Sequence, residues 1–443
     1  MHRIAIIIFP GTNCHQESFR AIKKAGMEPV YFRWNESYEE LKKFDGYFIP
    51  GGFSYEDRVR SGAIAARDQI MSVIKEEVLA GKPVIGICNG AQILVESGMI
   101  PGLSGHNLTA ALASNERGYL NIWVNIINNQ EQGCCAFTID FPQGEHFCLP
   151  IAHGEGRYVI DDDQLKKLID NGQTVFRYCD DNGQIKEEYP INPNGAVYNL
   201  AGVCNPQGNV LALMPHPERT SHVKIFESMK KYLDKNPKSD PRLDRGRNPK
   251  QIQISKIQNS KPKINGYQVT ANAFEIYVDL IITDNEAQTL TNALHQMSFR
   301  NVEVYKKKHW EIVLKDQPDF KKFTKDLITS GELLNTNKEI AYIKLKDKIF
   351  KYSAEGLTPV ESIPEVGDVN LLVRDKNDYL GQGKLNTLQN RLNIKSVKSV
   401  KSGVVWQIKI KSKTQEEAKK VWEEIQKSNI LFNPFSQEAL IIC

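Results

Sequence analysis

Short runs of apolar and β-branched residues alternate with helix-like stretches over the first half of the chain. Ile4 to Phe9, Pro29 to Trp34, Gly46 to Ile49 and Pro83 to Ile87 read as strands, and the stretches after Asn13, Ser37, Glu56 and Asn89 read as helices. This alternation predicts an α/β fold, a doubly wound and mostly parallel sheet with helices on both faces. In such a sheet reactive groups gather at the carboxyl ends of the strands. No apolar run approaches the length that crosses a bilayer, and the chain opens directly on a strand, without room for a signal peptide. A cytoplasmic location and no membrane partner are therefore expected.

Near residue 234 the pattern breaks. From Lys235 to Lys263 there are nine Lys or Arg against two acidic residues, a net of +7 where the whole chain carries +4, together with Pro237, Pro241, Pro249 and Pro262. A basic tract raises the question of nucleic acid, but no aromatic residues are interleaved for base stacking and no binding motif occurs. The expectation is a basic flexible linker over 234–265 and no nucleic-acid partner.

Beyond it the pattern repeats. Glu275 to Ile282, Asn285 to Met297, Val302 to Tyr305, Trp310 to Leu314, Phe320 to Ile328 and Glu339 to Leu345 form one β-α-β-β-α-β series. Val369 to Arg374, Tyr379 to Leu392, Lys395 to Val400, Val404 to Ile410, Gln415 to Lys427 and Glu438 to Ile442 form a second, offset by about 94 to 96 positions. Ala293-Leu294 aligns with Thr387-Leu388, and Trp310-Glu311-Ile312 with Trp406-Gln407-Ile408. A period this long marks a duplicated small α+β domain of ferredoxin-like pattern rather than a solenoid. The expected boundaries are 1–233 for the first domain, 266–350 for copy 1, 351–367 for a second linker and 368–443 for copy 2.

Composition narrows the class without naming it. At 443 residues, 41% hydrophobic and 25% charged, the chain has room for two or three cores. Its eight cysteines are scattered, which fits a reducing compartment better than a disulfide framework, and none shows zinc-ligand spacing, so no metal is expected. Gly381-Gln382-Gly383-Lys384-Leu385 has the wrong spacing for a phosphate loop and lacks its hydroxyl residue; it reads as a helix start.

The chemistry lies in two short segments. Gly86-Ile87-Cys88-Asn89-Gly90 follows an apolar strand and precedes a helix, which puts Cys88 on a nucleophile elbow. Gly86 and Gly90 supply the small neighbours that such a strained turn requires. A helix N-terminus and a nearby imidazolium both favour the thiolate, and the N–H of Asn89, with that of Gly52 in the Pro50-Gly51-Gly52 turn, would face a developing oxyanion. In His216-Pro217-Glu218 the two reactive side chains are two positions apart, so in an extended segment they point to one side and the carboxylate can fix the imidazole's tautomer. Taken singly, a buried cysteine is usually inert and a His-Pro-Glu is usually a surface turn. Taken together around a strand-turn-helix, they indicate an enzyme that cleaves amides.

Phe9-Pro10-Gly11-Thr12-Asn13-Cys14, Gly51-Gly52-Phe53-Ser54-Tyr55, the Cys88 segment, Ala152-His153-Gly154-Glu155-Gly156 and Met214-Pro215-His216-Pro217-Glu218-Arg219 together resemble the glutaminase subunit of phosphoribosylformylglycinamidine synthase, over residues 1 to about 233. The cysteine and histidine-glutamate motifs are common to class I glutamine amidotransferases; the phenylalanine-proline-glycine opening and the His-Gly-Glu-Gly segment are narrower. The resemblance implies Cys88 as nucleophile, His216 as base and then acid, Glu218 as its orienter, and Gln92 near the glutamine side chain. One departure is Glu56, which stands where the resembled family usually has glycine. Each C-terminal repeat resembles, more weakly, the small accessory subunit of the same synthase. Those resemblances imply glutamine as substrate, a separate large synthetase subunit as partner, ATP and magnesium on that partner, and no cofactor in this chain.

Two other readings stand beside this one. A related triad amidotransferase could serve a different synthase, and would then fail to co-purify with a purine synthetase. Alternatively, tandem ferredoxin-like domains could bind effectors in a regulator with a degenerate glutaminase; trapping a covalent adduct with a glutamine-mimicking electrophile distinguishes the two.

Overall fold

The computed structural model describes residues 1–103, 107–236, 264–315, 320–353 and 356–442. The chain divides into two compact units, Met1–Asn259 and Ser260–Cys443. Most of the expected basic linker, 237–263, lies outside the described residues.

The first unit runs β1 (Arg3–Ile8), α1 (His15–Lys24), β2 (Glu28–Arg33), the one-turn α2 (Tyr38–Leu41), β3 (Gly46–Ile49), α3 (Gln69–Leu79), β4 (Val84–Ile87) and α4 (Asn89–Glu96). It continues with β5 (Ala111–Ser114), β6 (Leu120–Asn128), β7 (His146–His153), β8 (Glu155–Val159), α5 (Asp162–Asp170), β9 (Phe176–Cys179), β10 (Leu200–Cys204), β11 (Val210–Leu213) and α6 (Lys224–Lys235). Nine strands form one sheet in the order β2-β1-β3-β4-β11-β10-β9-β6-β7, while β5 and β8 pair separately. From β2 to β11 every pairing is parallel, and from β11 to β7 every pairing is antiparallel. Strands β3, β4 and β11 are buried at every position, as central parallel strands covered on both faces must be.

The expected strands appear with their ends displaced by at most one residue. The helix expected after Glu56 does not begin there. Residues 54–67 form 3₁₀ turns and irregular backbone, and α3 starts only where Asp68 caps it, its Oδ1 accepting from Ile70 N at 3.1 Å.

The second unit runs β12 (Asn265–Gly266), β13 (Ala273–Leu280), α7 (Asn285–Gln296), β14 (Val302–Leu314), α8 (Phe320–Thr329), β15 (Glu339–Leu345), β16 (Lys348–Ser353) and β17 (Gly356–Val360). Then come β18 (Val369–Asp375), α9 (Tyr379–Asn386), β19 (Val397–Ile410), α10 (Gln415–Lys427) and β20 (Gln437–Ile442). The two repeats build one sheet in the order β12-β20-β18-β19-β14-β13-β15-β16-β17. They meet where β14 and β19 pair antiparallel along their whole length, from Val302 with Ile410 to Leu314 with Val397.

Each repeat contains β-α-β-α-β, because the two middle strands read from the sequence are one long strand in both copies. The segment expected as a second linker, 351–367, instead holds the end of β16 and all of β17, which pair as a hairpin at the sheet edge. In the first of the long strands, lysines between the two expected strands are paired within the unit, Lys307 Nζ with Asp279 at 2.6 Å and Lys308 Nζ with Glu339 at 2.5 Å. The segment that failed the phosphate-loop test is helical, as read: Asp378 caps α9, accepting from Gly381 N at 2.7 Å.

Candidate active site

The corner that carries the reactive groups is the carboxyl end of β1, β3, β4 and β11. Cys88 terminates β4 and caps α4 with φ 52° and ψ −107°, a left-handed conformation that costs a residue with a side chain on the order of 1 kcal/mol or more. The turn persists because its surroundings leave no alternative. Cys88 N donates to Leu213 O at 2.9 Å, and Gln92 N to Cys88 O at 3.0 Å. A Cβ on Gly86 would lie 2.4 Å from Gly90 O, and one on Gly90 would lie 1.9 Å from Ile49 O, so neither position admits a side chain. Both ends of the elbow are therefore fixed against β3 and against each other.

His216 and Glu218 follow β11 and are fully enclosed. Nδ1 of His216 donates to Glu218 Oε1 at 2.6 Å, with side chains 1% and 0% exposed. In its neutral form, with the proton on Nδ1, the ring presents Nε2 to the site, and among the described residues that buried nitrogen has no hydrogen-bond partner. Burial opposes the imidazolium, but the Glu218 carboxylate, then Cys88, outweigh it and hold the histidine well above its ordinary pKa.

One glycine shows how closely the groups converge. A Cβ placed on Gly51 would lie 2.9 Å from His216 Cε1, 3.2 Å from Cys14 Sγ and 3.4 Å from Cys88 Cβ. Cys88 and His216 thus pack against the same glycine although 128 positions separate them in the sequence. Gly52 serves a different contact. It forms a bridge with Thr12, and a Cβ on it would lie 2.5 Å from Asn13 N, while one on Gly11 would lie 2.0 Å from Phe53 O. The loops after β1 and β3 are locked together there.

Asn89 and Gln92 are both buried, and their amides are engaged within the protein. Asn89 Oδ1 accepts from Ser54 N at 3.0 Å, while its Nδ2 donates to Asp57 Oδ1 at 3.1 Å and to Gln92 Oε1 at 2.9 Å. Gln92 Nε2 donates to the carbonyl of Glu155. These two side chains tie α4 to the 54–57 loop and to β8. Burial pushes Asp57 up to about 6 despite hydrogen bonds from Ser61 and Asn89. Glu56 lies on the rim, its carboxylate 2.9 Å from Arg58 and its backbone at φ 58°.

Three groups at this corner were given no role by the sequence. Arg219 Nη2 donates to Cys14 Sγ at 2.9 Å, which brings a second thiol and a cation against His216. His153 is buried, with Asn115 Nδ2 3.2 Å from its Nδ1 and its Nε2 unpartnered among the described residues; burial first, then the charge of His216, depress its pKa to about 3 and keep it neutral. Cys14 and His153 lie inside the quoted motifs and Arg219 directly follows Glu218, so a signal was present. Nothing in their spacing said what they would touch.

A thiol on a strained strand-to-helix turn, beside a carboxylate-paired imidazole at the carboxyl edge of a doubly wound sheet, defines the class: this is an enzyme of the glutamine amidotransferase type. The chain belongs to the CobB/CobQ-like glutamine amidotransferase domain family, whose model matches residues 1–243. It is similar to the phosphoribosylformylglycinamidine synthase subunit PurQ of Methanothrix thermoacetophila, with 45% identity over 259 residues, 52% of this chain and 98% of that one. It is also similar to the same subunit of Pyrococcus furiosus, 43% identical over 244 residues, 53% of this chain and 99% of that one. Among solved structures it matches a chain of the structure of PurLQS from Thermotoga maritima, at 36% identity and a TM-score of 0.43 over 52% of this chain and 99% of that one.

The seven described cysteines are free thiols. No helix among the described residues is long and apolar enough to cross a membrane.

Proposed function

We propose that this chain is the glutaminase component of a phosphoribosylformylglycinamidine synthase, hydrolysing glutamine through a cysteine thioester. The ammonia passes to a separate, ATP-dependent synthetase subunit that converts formylglycinamide ribonucleotide to formylglycinamidine ribonucleotide. The convergence of Cys88, His216 and Cys14 on Gly51, with Glu218 bonded to the far side of the imidazole, carries this reading. The name shared by the two relatives above supports the choice of synthase.

Cys88 gives its proton to His216 Nε2 and attacks the carboxamide carbon of glutamine. Negative charge then collects on the amide oxygen, where the N–H of Asn89 at the start of α4 and the N–H of Gly52 are the expected donors. His216 returns the proton to the departing ammonia, leaving a γ-glutamyl thioester. Water activated by the same nitrogen releases glutamate. Glu218 keeps the ring in the tautomer both half-reactions need, and the high pKa it imposes suits a base that must hold the thiol's proton. Gln92 acts by fixing β8 against α4 near the glutamine side chain. ATP and magnesium belong to the partner, and the two C-terminal repeats, joined through β14 and β19, act as fused accessory domains that promote assembly with it.

Replacing Cys88 with alanine should remove glutamine-dependent synthesis by the assembled complex and leave ammonia-dependent synthesis in place. If both fall together, the division of labour between the subunits is wrong. The second reading, an amidotransferase serving a different synthase, is tested by which synthetase co-purifies with the chain.

A further inference from the structure

We propose that Cys14, held by Arg219, is a positioning residue for His216, its sulfur backing the imidazole so that Nε2 stays directed at the nucleophile. This rests on the functional reading above, in which His216 serves Cys88 as base and then as acid.

The bond from Nδ1 to Glu218 settles which nitrogen carries the proton, but a single hydrogen bond leaves the ring free to rock about that contact. A second contact is needed to fix the direction of Nε2. Sγ of Cys14, a ring nitrogen of His216 and a carboxylate oxygen of Glu218 all lie within 4.8 Å of one another, and the three residues are buried. The same sulfur and the ring's Cε1 flank Gly51, where a Cβ would meet them at 3.2 and 2.9 Å. Cys14 is itself firmly held. It is the N-cap residue of α1; its N–H donates to Gly51 O at 3.0 Å, and its carbonyl accepts from Ser18 N at 3.1 Å and from Ser18 Oγ at 2.7 Å. Its sulfur accepts from Arg219 Nη2 at 2.9 Å, although Arg219 is otherwise exposed. Glu218 and Arg219 are neighbours in one 3₁₀ turn, Pro217–Arg219. One short segment therefore grips the imidazole twice, directly through Glu218 and indirectly through Arg219 and Cys14.

The sulfur also bears on the charge of the ring. Burial opposes the imidazolium, Glu218 and then Cys88 outweigh it, and the contact with Cys14 acts in the same direction as theirs. Among the described residues, the titratable and charged groups around His216 are Glu218 and Arg219 of its own segment, Cys88 at the end of β4, Cys14 before α1, and His153 at the end of β7, which stays neutral.

The test uses the full-length chain. Glutamine hydrolysis is measured against pH, and alkylation of Cys88 by iodoacetamide at neutral pH is followed in the Cys88 peptide by mass spectrometry. Cys14→Ala should lower kcat by about ten-fold or more with KM little changed, because the base is misaimed while glutamine still binds. It should also slow the alkylation and move the basic limb of kcat/KM to lower pH, since the imidazolium has lost a contact that favours it. Cys14→Ser keeps an acceptor for Arg219 and should recover part of each effect. Arg219→Gln should lower kcat as well, but Cys14→Ala with Arg219→Gln should lose little more than Cys14→Ala alone, because the guanidinium acts through the sulfur. A folded Cys14→Ala variant with native kcat and an unmoved basic limb would overturn the assignment, whatever its urea midpoint, since packing alone would then explain the residue. Losses that simply add in the double variant would overturn the pairing of Cys14 with Arg219. Glutamine hydrolysis surviving in Cys88→Ala would instead sink the functional reading, while the alkylation rates, which need no glutamine, would still report the contact.

Discussion

Tyr55, Glu56 and Asp57 have φ of 52°, 58° and 53°, three consecutive left-handed residues with side chains, on the loop that Asn89 ties to α4. Each such residue costs on the order of 1 kcal/mol, and only glycine escapes the cost. Glu56 is the one of the three with nothing to lose, since its exposed carboxylate meets only Arg58. Glu56→Gly should therefore raise stability by about 0.5–1 kcal/mol, after allowing for the glycine's freedom in the unfolded chain; a lowered urea midpoint would contradict this. Asp57 makes the same loop sensitive to pH. Its folded pKa, about 6, lies above the unfolded 3.8, so stability is fully present below about pH 4 and is lost as pH rises through 6. Asp57→Asn should gain ~1–2 kcal/mol at pH 7 and nothing at pH 4, measured by denaturant unfolding at both. Cys88, His216 and Glu218 could be picked out as candidates because the chemistry demands particular residue types at short spacing: a glycine on each side of the elbow, and a carboxylate two positions from the imidazole. Cys14 and Arg219 could not, because their meeting depends on the loops after β1 and β3 interlocking through Gly11 and Gly52, a contact that no local pattern records.

At the scale of elements, the parallel strands were readable because burial on both faces leaves them apolar without interruption. The backbone between Glu56 and Gln69 was not, since its conformation is set by distant partners. Arg60 makes a two-point contact with Glu96 at 2.9 and 2.6 Å, and Arg67 reaches the same carboxylate at 2.9 Å, so the loop is shaped by the end of α4. Strands β14 and β19 were cut in two for a related reason, their polar middles being satisfied by neighbours instead of marking turns. Glu311, in the half of β14 that was read as a strand, is satisfied in the same way. It is buried and accepts from Tyr267 Oη at 2.7 Å, from Thr270, from Arg374 of β18 at 3.1 Å and from Lys401 of β19 at 3.2 Å. Burial pushes this carboxyl up, but the hydrogen bonds and then the two cations outweigh it and bring it down to about 2. Because the folded value lies below the unfolded 4.5, its contribution is present above that pH and is lost as pH falls toward 2. Glu311→Gln leaves Arg374 buried beside a neutral amide and should destabilise the second unit by about 2–4 kcal/mol. The deficit should be constant from pH 7 to about 5 and narrow below it; a deficit independent of pH would mean the carboxylate's charge plays no part.

At the scale of the whole molecule, each unit has a core of its own, one built on the sheet around β1, β3, β4 and β11 and the other under the sheet shared by the two repeats. The duplication was visible in the sequence as a long period. That the copies would complete a single sheet was not, because β14 and β19 present no pattern that distinguishes a partner within the chain from one in another copy. The relatives described above are matched over nearly their full length by little more than half of this chain, so the first unit has the extent of a whole separate subunit. A chain ending at residue 236 should accordingly fold and still be labelled at Cys88 by a glutamine-mimicking electrophile. What it should lose is assembly. If the second unit promotes docking on the synthetase, tethering gives the glutaminase a local concentration on the order of millimolar once that unit has bound. The shortened chain should then support glutamine-dependent synthesis poorly at nanomolar protein, by ten-fold or more, and recover as its concentration is raised. Labelling and circular dichroism separate this from simple misfolding. Undiminished synthesis by the shortened chain at nanomolar concentration would remove assembly as the role of the second unit, and failure to recover at any concentration would show that it contributes more than proximity.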